Sequence, residues 1–160
     1  MHKYVLALLI VAFPFSALAA ELPKEGSYDF ISCSSSVSNV ITFSKTYTGS
    51  SYELTGTNRS NPPGGLFDKT TYRCVGMNTS LDAKVTASIL CEAIDVDGDK
   101  YLSKVSTADG KSTRTIVAGT GKYEGIVTTQ TAFEDLGPFP AIKDGTSQIC
   151  NHQTGTYKLK

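Results

Sequence analysis

Apolar and polar residues alternate in short runs along most of this chain, and turn residues separate the runs at intervals too short for helices. Ser27–Cys33 sets Tyr28 and Phe30 against Ile31 and Cys33. Val37–Thr46 carries Val40, Ile41 and Phe43 among hydroxyl residues, and Ser51–Thr57 carries Tyr52 and Leu54. Asn58-Arg-Ser-Asn-Pro-Pro-Gly-Gly65 then breaks the pattern as a loop. Lys69–Met77 is strand-like, and Asn78–Asp82 reads as a turn. Lys84–Asp95 is the longest run: Val85, Ala87, Ile89, Cys91 and Ala93 share one face, with Thr86, Ser88, Leu90, Glu92 and Ile94 on the other. Asp97-Gly98 fits a two-residue type I′ turn into Lys100–Thr107. Ser112–Ala118 and Gly125–Phe133 flank a glycine corner and are expected to pair across it, and Thr146–Leu159 ends the chain after the Pro-rich loop Glu134–Gly145. Eight or nine strands at regular spacing predict an all-β chain, a barrel or a sandwich.

The N-terminus adds a compartment. His2 and Lys3 precede an apolar run from Tyr4 to Phe13, which is too short to span a bilayer, and Ala17-Leu18-Ala19 fits a cleavage site. Residues 1–19 therefore read as a signal peptide and 20–160 as a single barrel domain. The remaining roughly 140 residues suffice for one core. The expected location is secreted or periplasmic, with no membrane association after cleavage.

Charge excludes one class of partner. Fifteen Lys and Arg balance 15 Asp and Glu, and loss of Lys3 with the leader leaves a net charge of −1. No basic face is evident, so no nucleic acid partner is expected. Four cysteines, an even number in an exported chain, read as two disulfides. Three connectivities are possible. Cys74 and Cys91 lie on successive strand-like runs, and Cys33 and Cys150 in the first and last, which favours Cys33–Cys150 and Cys74–Cys91.

The segment Gly119-Thr-Gly-Lys-Tyr-Glu-Gly125, between two runs rich in Ile, Val and Thr, resembles the glycine corner of the allene oxide cyclase and dirigent barrels. The upstream Cys91…Asp95-Val-Asp-Gly-Asp-Lys100 element is similar to that of small exported bacterial proteins with the same barrel. The resemblance implies a closed antiparallel eight-stranded β-barrel with a central apolar cavity, often assembled as a trimer. No catalytic residue of those enzymes matches a position here.

Other motifs fall to spacing. Gly121-Lys122 lacks the upstream glycine and following Ser or Thr of a phosphate loop. Asp95, Asp97 and Asp99 lack the EF-hand glycine and glutamate positions, so no metal site is assigned. His152, the only histidine after the leader, has no nucleophile elbow to serve. Asn58-Arg-Ser and Asn78-Thr-Ser fit the N-glycosylation pattern. The candidates for contact with an interior ligand are Tyr28, Phe30, Tyr52, Tyr72 and Tyr101, which offer apolar area and hydroxyls, and Glu92, between Leu90 and Ile94. No cofactor is implied. Three functions compete: a barrel binding a small apolar or amphiphilic molecule, a filled barrel acting through loops or oligomer faces, and a cofactor-free isomerase or cyclase.

Overall fold

The computed structural model describes residues 22–137 and 139–160; the leader-like segment lies outside them. Eight strands form one antiparallel sheet: β1 (Glu25–Thr42), β2 (Tyr47–Ser60), β3 (Thr70–Leu81), β4 (Lys84–Ile94), β5 (Lys100–Ala108), β6 (Lys111–Gly119), β7 (Val127–Asp135) and β8 (Thr146–Lys158). Their order in the sheet is β6-β5-β4-β3-β2-β1-β8-β7. The sheet curls into a nearly closed barrel, with β6 and β7 as its two edges.

That order corrects one expectation. β6 and β7 flank the glycine corner but share no strand ladder. A side chain joins them instead: Arg114 N–H donates to Gln130 Oε1 at 2.8 Å, and Gln130 Nε2 donates to the Ser112 carbonyl at 2.8 Å. The primary amide thus stands in for a peptide group of the missing ladder. A bulge between Gln130 and Ala132 marks the same point on β7.

The disulfides are Cys33–Cys150 and Cys74–Cys91, and both pairs sit directly opposite each other in register. The first ties β1 to β8, and the second ties β3 to β4. Two such bonds point to an oxidising, non-cytoplasmic compartment.

Two strand-like runs prove to be one. Ser27–Cys33 and the Val37–Thr42 part of the second run belong to the single 18-residue β1, and the serines continue the alternation with Ser32, Ser34, Ser36 and Ser38 facing inward; Phe43–Thr46 form the bend into β2. Asn78–Leu81 extends β3 and does not turn. Type I′ geometry lies at Asp82-Ala83 and Asp109-Gly110, where both residues have positive φ. At Asp97-Gly98 only Gly98 does, with φ 87°. There Gly98 N–H donates to the Asp95 carbonyl and Asp95 N–H to the Asp99 carbonyl, so the loop is longer, with glycine in the left-handed position.

The dry core occupies one end of the barrel. It comprises Tyr28, Phe30, Leu66, Phe67, Ala93, Tyr101, Tyr123, Ile126 and Tyr157. Leu66 and Phe67, each 1% exposed, come from the Gly/Pro loop after β2 and plug the barrel from below. Phe67 meets Tyr28, Phe30 and Tyr101 edge-on at 5.0–5.4 Å and stacks on Tyr123 at 5.9 Å. Asp68 pins the plug by accepting hydrogen bonds from Ser60 N–H and Gly64 N–H.

Tyrosine opposite glycine recurs around this barrel. Tyr28 faces Gly155, Tyr52 faces Gly76, Tyr72 faces Gly56 and Tyr157 faces Gly26 in register. A Cβ on Gly155 would lie 2.4 Å from the Tyr28 ring, and one on Gly56 2.5 Å from Tyr72. Each ring lies flat across its neighbouring strand because the glycine leaves that space open.

Candidate functional site: a hydroxyl-lined cavity

Above the aromatic floor the strands enclose a cavity of about 410 Å³. It reaches toward the hairpin tips that join β1 to β2, β3 to β4 and β5 to β6. Strand alternation fixes its chemistry. β1 contributes Ser32, Ser34, Ser36 and Ser38, and β8 contributes Ser147, Ile149, Asn151 and Gln153. The opposite wall is largely apolar: Leu54 and Tyr52 from β2, Tyr72 and Cys74 from β3, Val85, Ala87 and Ile89 from β4, and Val105 from β5. One wall therefore offers hydrogen bonds, and the other offers surface for dispersion and desolvation.

Several lining groups are already paired. The Tyr72 hydroxyl and Ser32 Oγ are 2.7 Å apart, Tyr52 donates to Asn78 Oδ1 at 3.0 Å, and Ser36 and Ser147 meet at 2.7 Å. Asn58, 2% exposed, donates to Thr70 Oγ1 and the Tyr101 hydroxyl, while its Oδ1 has no hydrogen-bond partner among the described residues. Desolvation raises the pKa of Tyr52 and of Tyr72; at Tyr72 hydrogen bonds from Ser32 and Ser34 oppose the rise without cancelling it. These phenols are neutral donors at physiological pH.

Phe30, Tyr52, Tyr72 and Tyr101 line the cavity. Tyr28 lies beneath them in the dry core, over Gly155, and does not face the cavity. Glu92 is on the outer face: its neighbour Cys91 lines the interior, and Glu92 is exposed with Lys100 Nζ at 3.1 Å. The side chain between Leu90 and Ile94 points outward because that face of β4 carries exposed apolar residues. Both glycosylation-pattern asparagines are inward-facing, Asn58 buried and Asn78 at the cavity wall. Sequence reasoning missed the serine wall, Gln153 and Arg114. The period-two serines between Ser32 and Ser38 were the available signal.

Asp95 and the glycine corner form a separate structural knot at the closed end. Asp95 Oδ1 accepts from Asp97 N–H at 2.9 Å and Asp99 N–H at 3.1 Å. Lys122 Nζ makes an ion pair, not an aligned hydrogen bond, with Asp95 Oδ2 at 2.9 Å, and also contacts Asp97 Oδ2 at 2.7 Å. Lys122 N–H donates to Asp99 Oδ2, and Lys100 N–H donates to Thr120 Oγ1. The lysine of the corner thus occupies the space between two carboxylates, and the corner's role is to dock Tyr123 into the core.

His152 Nε2 lies 2.8 Å from Asp29 Oδ1 on the outer wall, and the Cys33–Cys150 bond floors a shallow outer groove with Phe139 and Pro140. Compared with family models, curated proteins and solved structures, the chain finds no match.

Proposed function

We propose that this barrel is an exported binding module that holds a small amphiphilic molecule in its interior. The observation that carries the reading is the two-sided cavity of about 410 Å³, within the range typical of small-molecule sites. A serine wall on β1 and β8 supplies donors and acceptors, and the β2–β5 wall supplies apolar contact. The resemblance of the Gly119–Gly125 corner to the allene oxide cyclase and dirigent barrels supports a function seated inside the barrel, and by the same resemblance a trimer. Two disulfides and the leader-like N-terminus support export to the periplasm or beyond.

Native mass spectrometry of protein purified from its own exported fraction tests this. The expected result is a bound small molecule that is absent from an Ala87→Trp variant, in which the indole occupies the cavity. Protein that carries nothing, and takes up no apolar probe when offered one, would sink the reading.

A further inference from the structure

The geometry points to an organic anion as the cavity's ligand, seated head-first on Arg114 at the aromatic floor. This deepens the binding reading and rests on it. Arg114 projects from β6 into the cavity. Its guanidinium lies 4.9 Å from the centre of the Phe67 ring, 5.1 Å from Phe30 and 5.3 Å from Tyr101. Those contacts engage the positive charge through the ring faces. They supply no oxygen acceptor for the five N–H donors along the edge of its planar fork.

Among the described residues the edge has one acceptor, Gln153 Oε1, at 3.5 Å. None of the ion pairs of the described residues includes Arg114. Asp135 is the one carboxylate among the lining residues, and it is exposed and makes no such pair. A partly buried guanidinium with an unfilled edge favours whatever planar oxyanion reaches it, because charge-assisted bidentate bonds replace the lost water. A carboxylate, sulfonate or phosphate head satisfies that requirement. The apolar body behind it then lies between the Tyr52–Val105 wall and the serines. The rings beneath the cation block further descent, so the charged end leads and the apolar end is left toward the hairpin tips.

The test compares two probes that share an aromatic body, anilinonaphthalene sulfonate and neutral N-phenylnaphthylamine. Fluorescence titration of the wild-type protein is expected to show the anion bound more tightly by roughly 10- to 100-fold, the worth of hydrogen bonds to a charged group. Arg114→Gln is expected to erase that preference by weakening the anion far more than the neutral probe, and Arg114→Lys to restore part of it. Both probes are expected to lose binding in Ala87→Trp. If both bind the wild type equally and both are lost in Ala87→Trp, the anion inference is overturned and the cavity reading stands. If neither binds, or Ala87→Trp leaves both untouched, the cavity reading falls and the inference with it. The wild-type comparison decides the matter even if the Arg114 variants do not fold.

Discussion

At the residue scale, the buried charges sit at the closed end, away from the cavity. Desolvation pushes the Asp95 carboxyl up, but the Lys122 ammonium, the Asp97 N–H and the neighbouring Tyr123 hydroxyl outweigh it and hold Asp95 below its ordinary range. Lys122 is held above its ordinary range in the same way: burial lowers it, and Asp95 and Asp97 more than offset that. Tyr123 is raised, first by burial and then by the Asp95 charge. The signs give the pH window. A depressed Asp95 contributes stability above its unfolded pKa of about 3.9, lost as pH falls through the lower folded value. A raised Lys122 contributes below its unfolded pKa of about 10.4, lost as pH climbs through the higher folded value. Stability from this pair is therefore flat across neutral pH and falls at both extremes. Asp95→Asn is expected to cost about 3 kcal/mol at pH 7, the low end for breaking a buried pair, because Lys122 keeps its contact with Asp97. Urea titrations at several pH values check this. A variant gap that stays the same from neutral pH down to pH 2 would show that the Asp95 charge contributes nothing.

At the scale of elements, the seam between β6 and β7 depends on one side chain. Gln130→Leu removes both hydrogen bonds and leaves Arg114 N–H and the Ser112 carbonyl without partners at a half-buried edge. The expected loss is about 2 kcal/mol, with faster hydrogen exchange at the Arg114 amide. Gln130→Glu keeps the acceptor for Arg114 but not the donor for Ser112, so it should fall between. Unchanged exchange at Arg114 in Gln130→Leu would mean that the barrel closes by other means. The seam also shows where sequence stops being legible. β4 was readable because Val85, Ala87, Ile89, Cys91 and Ala93 keep strict alternation and do face inward. β1 reads as two runs because its inward residues switch from Tyr28 and Phe30 to a row of serines, while Val37 and Ile41 face outward and, like Val40 near the strand end, are exposed. Apolar-in, polar-out holds only where the interior is dry, and above the aromatic floor this interior is a cavity. The same inversion made Glu92 look buried. The plug of Leu66 and Phe67 was hidden inside a loop whose Pro and Gly residues read as surface. The cysteines placed β1 beside β8 and β3 beside β4, but the seam was out of reach, because β6 and β7 are neighbours in sequence yet lie at opposite edges of the sheet.

At the scale of the molecule, the sheet is continuous through β1, which pairs with β2 on one side and with β8 on the other. The β1–β8 pairing joins the two ends of the described chain, and the Cys33–Cys150 bond sits within it with a sequence separation of 117. Cys74–Cys91 closes a separation of only 17, across a hairpin that the Asp82-Ala83 turn already brings together. A crosslink stabilises mainly by restricting the unfolded chain, and more so for longer loops. Replacing Cys33 and Cys150 with alanine is therefore expected to cost about 5 kcal/mol, against about 3 for the Cys74 and Cys91 pair. The two losses should also differ in kind. Cys74 is 1% exposed and lines the cavity, so its removal enlarges the binding space, while Cys33 lies on the outer wall. Removing the outer bond is expected to lower the urea midpoint more and leave probe affinity at the cavity unchanged; removing the inner bond is expected to lower it less and alter that affinity. If the inner bond proves the costlier, packing at the cavity wall outweighs chain restriction in holding this barrel together.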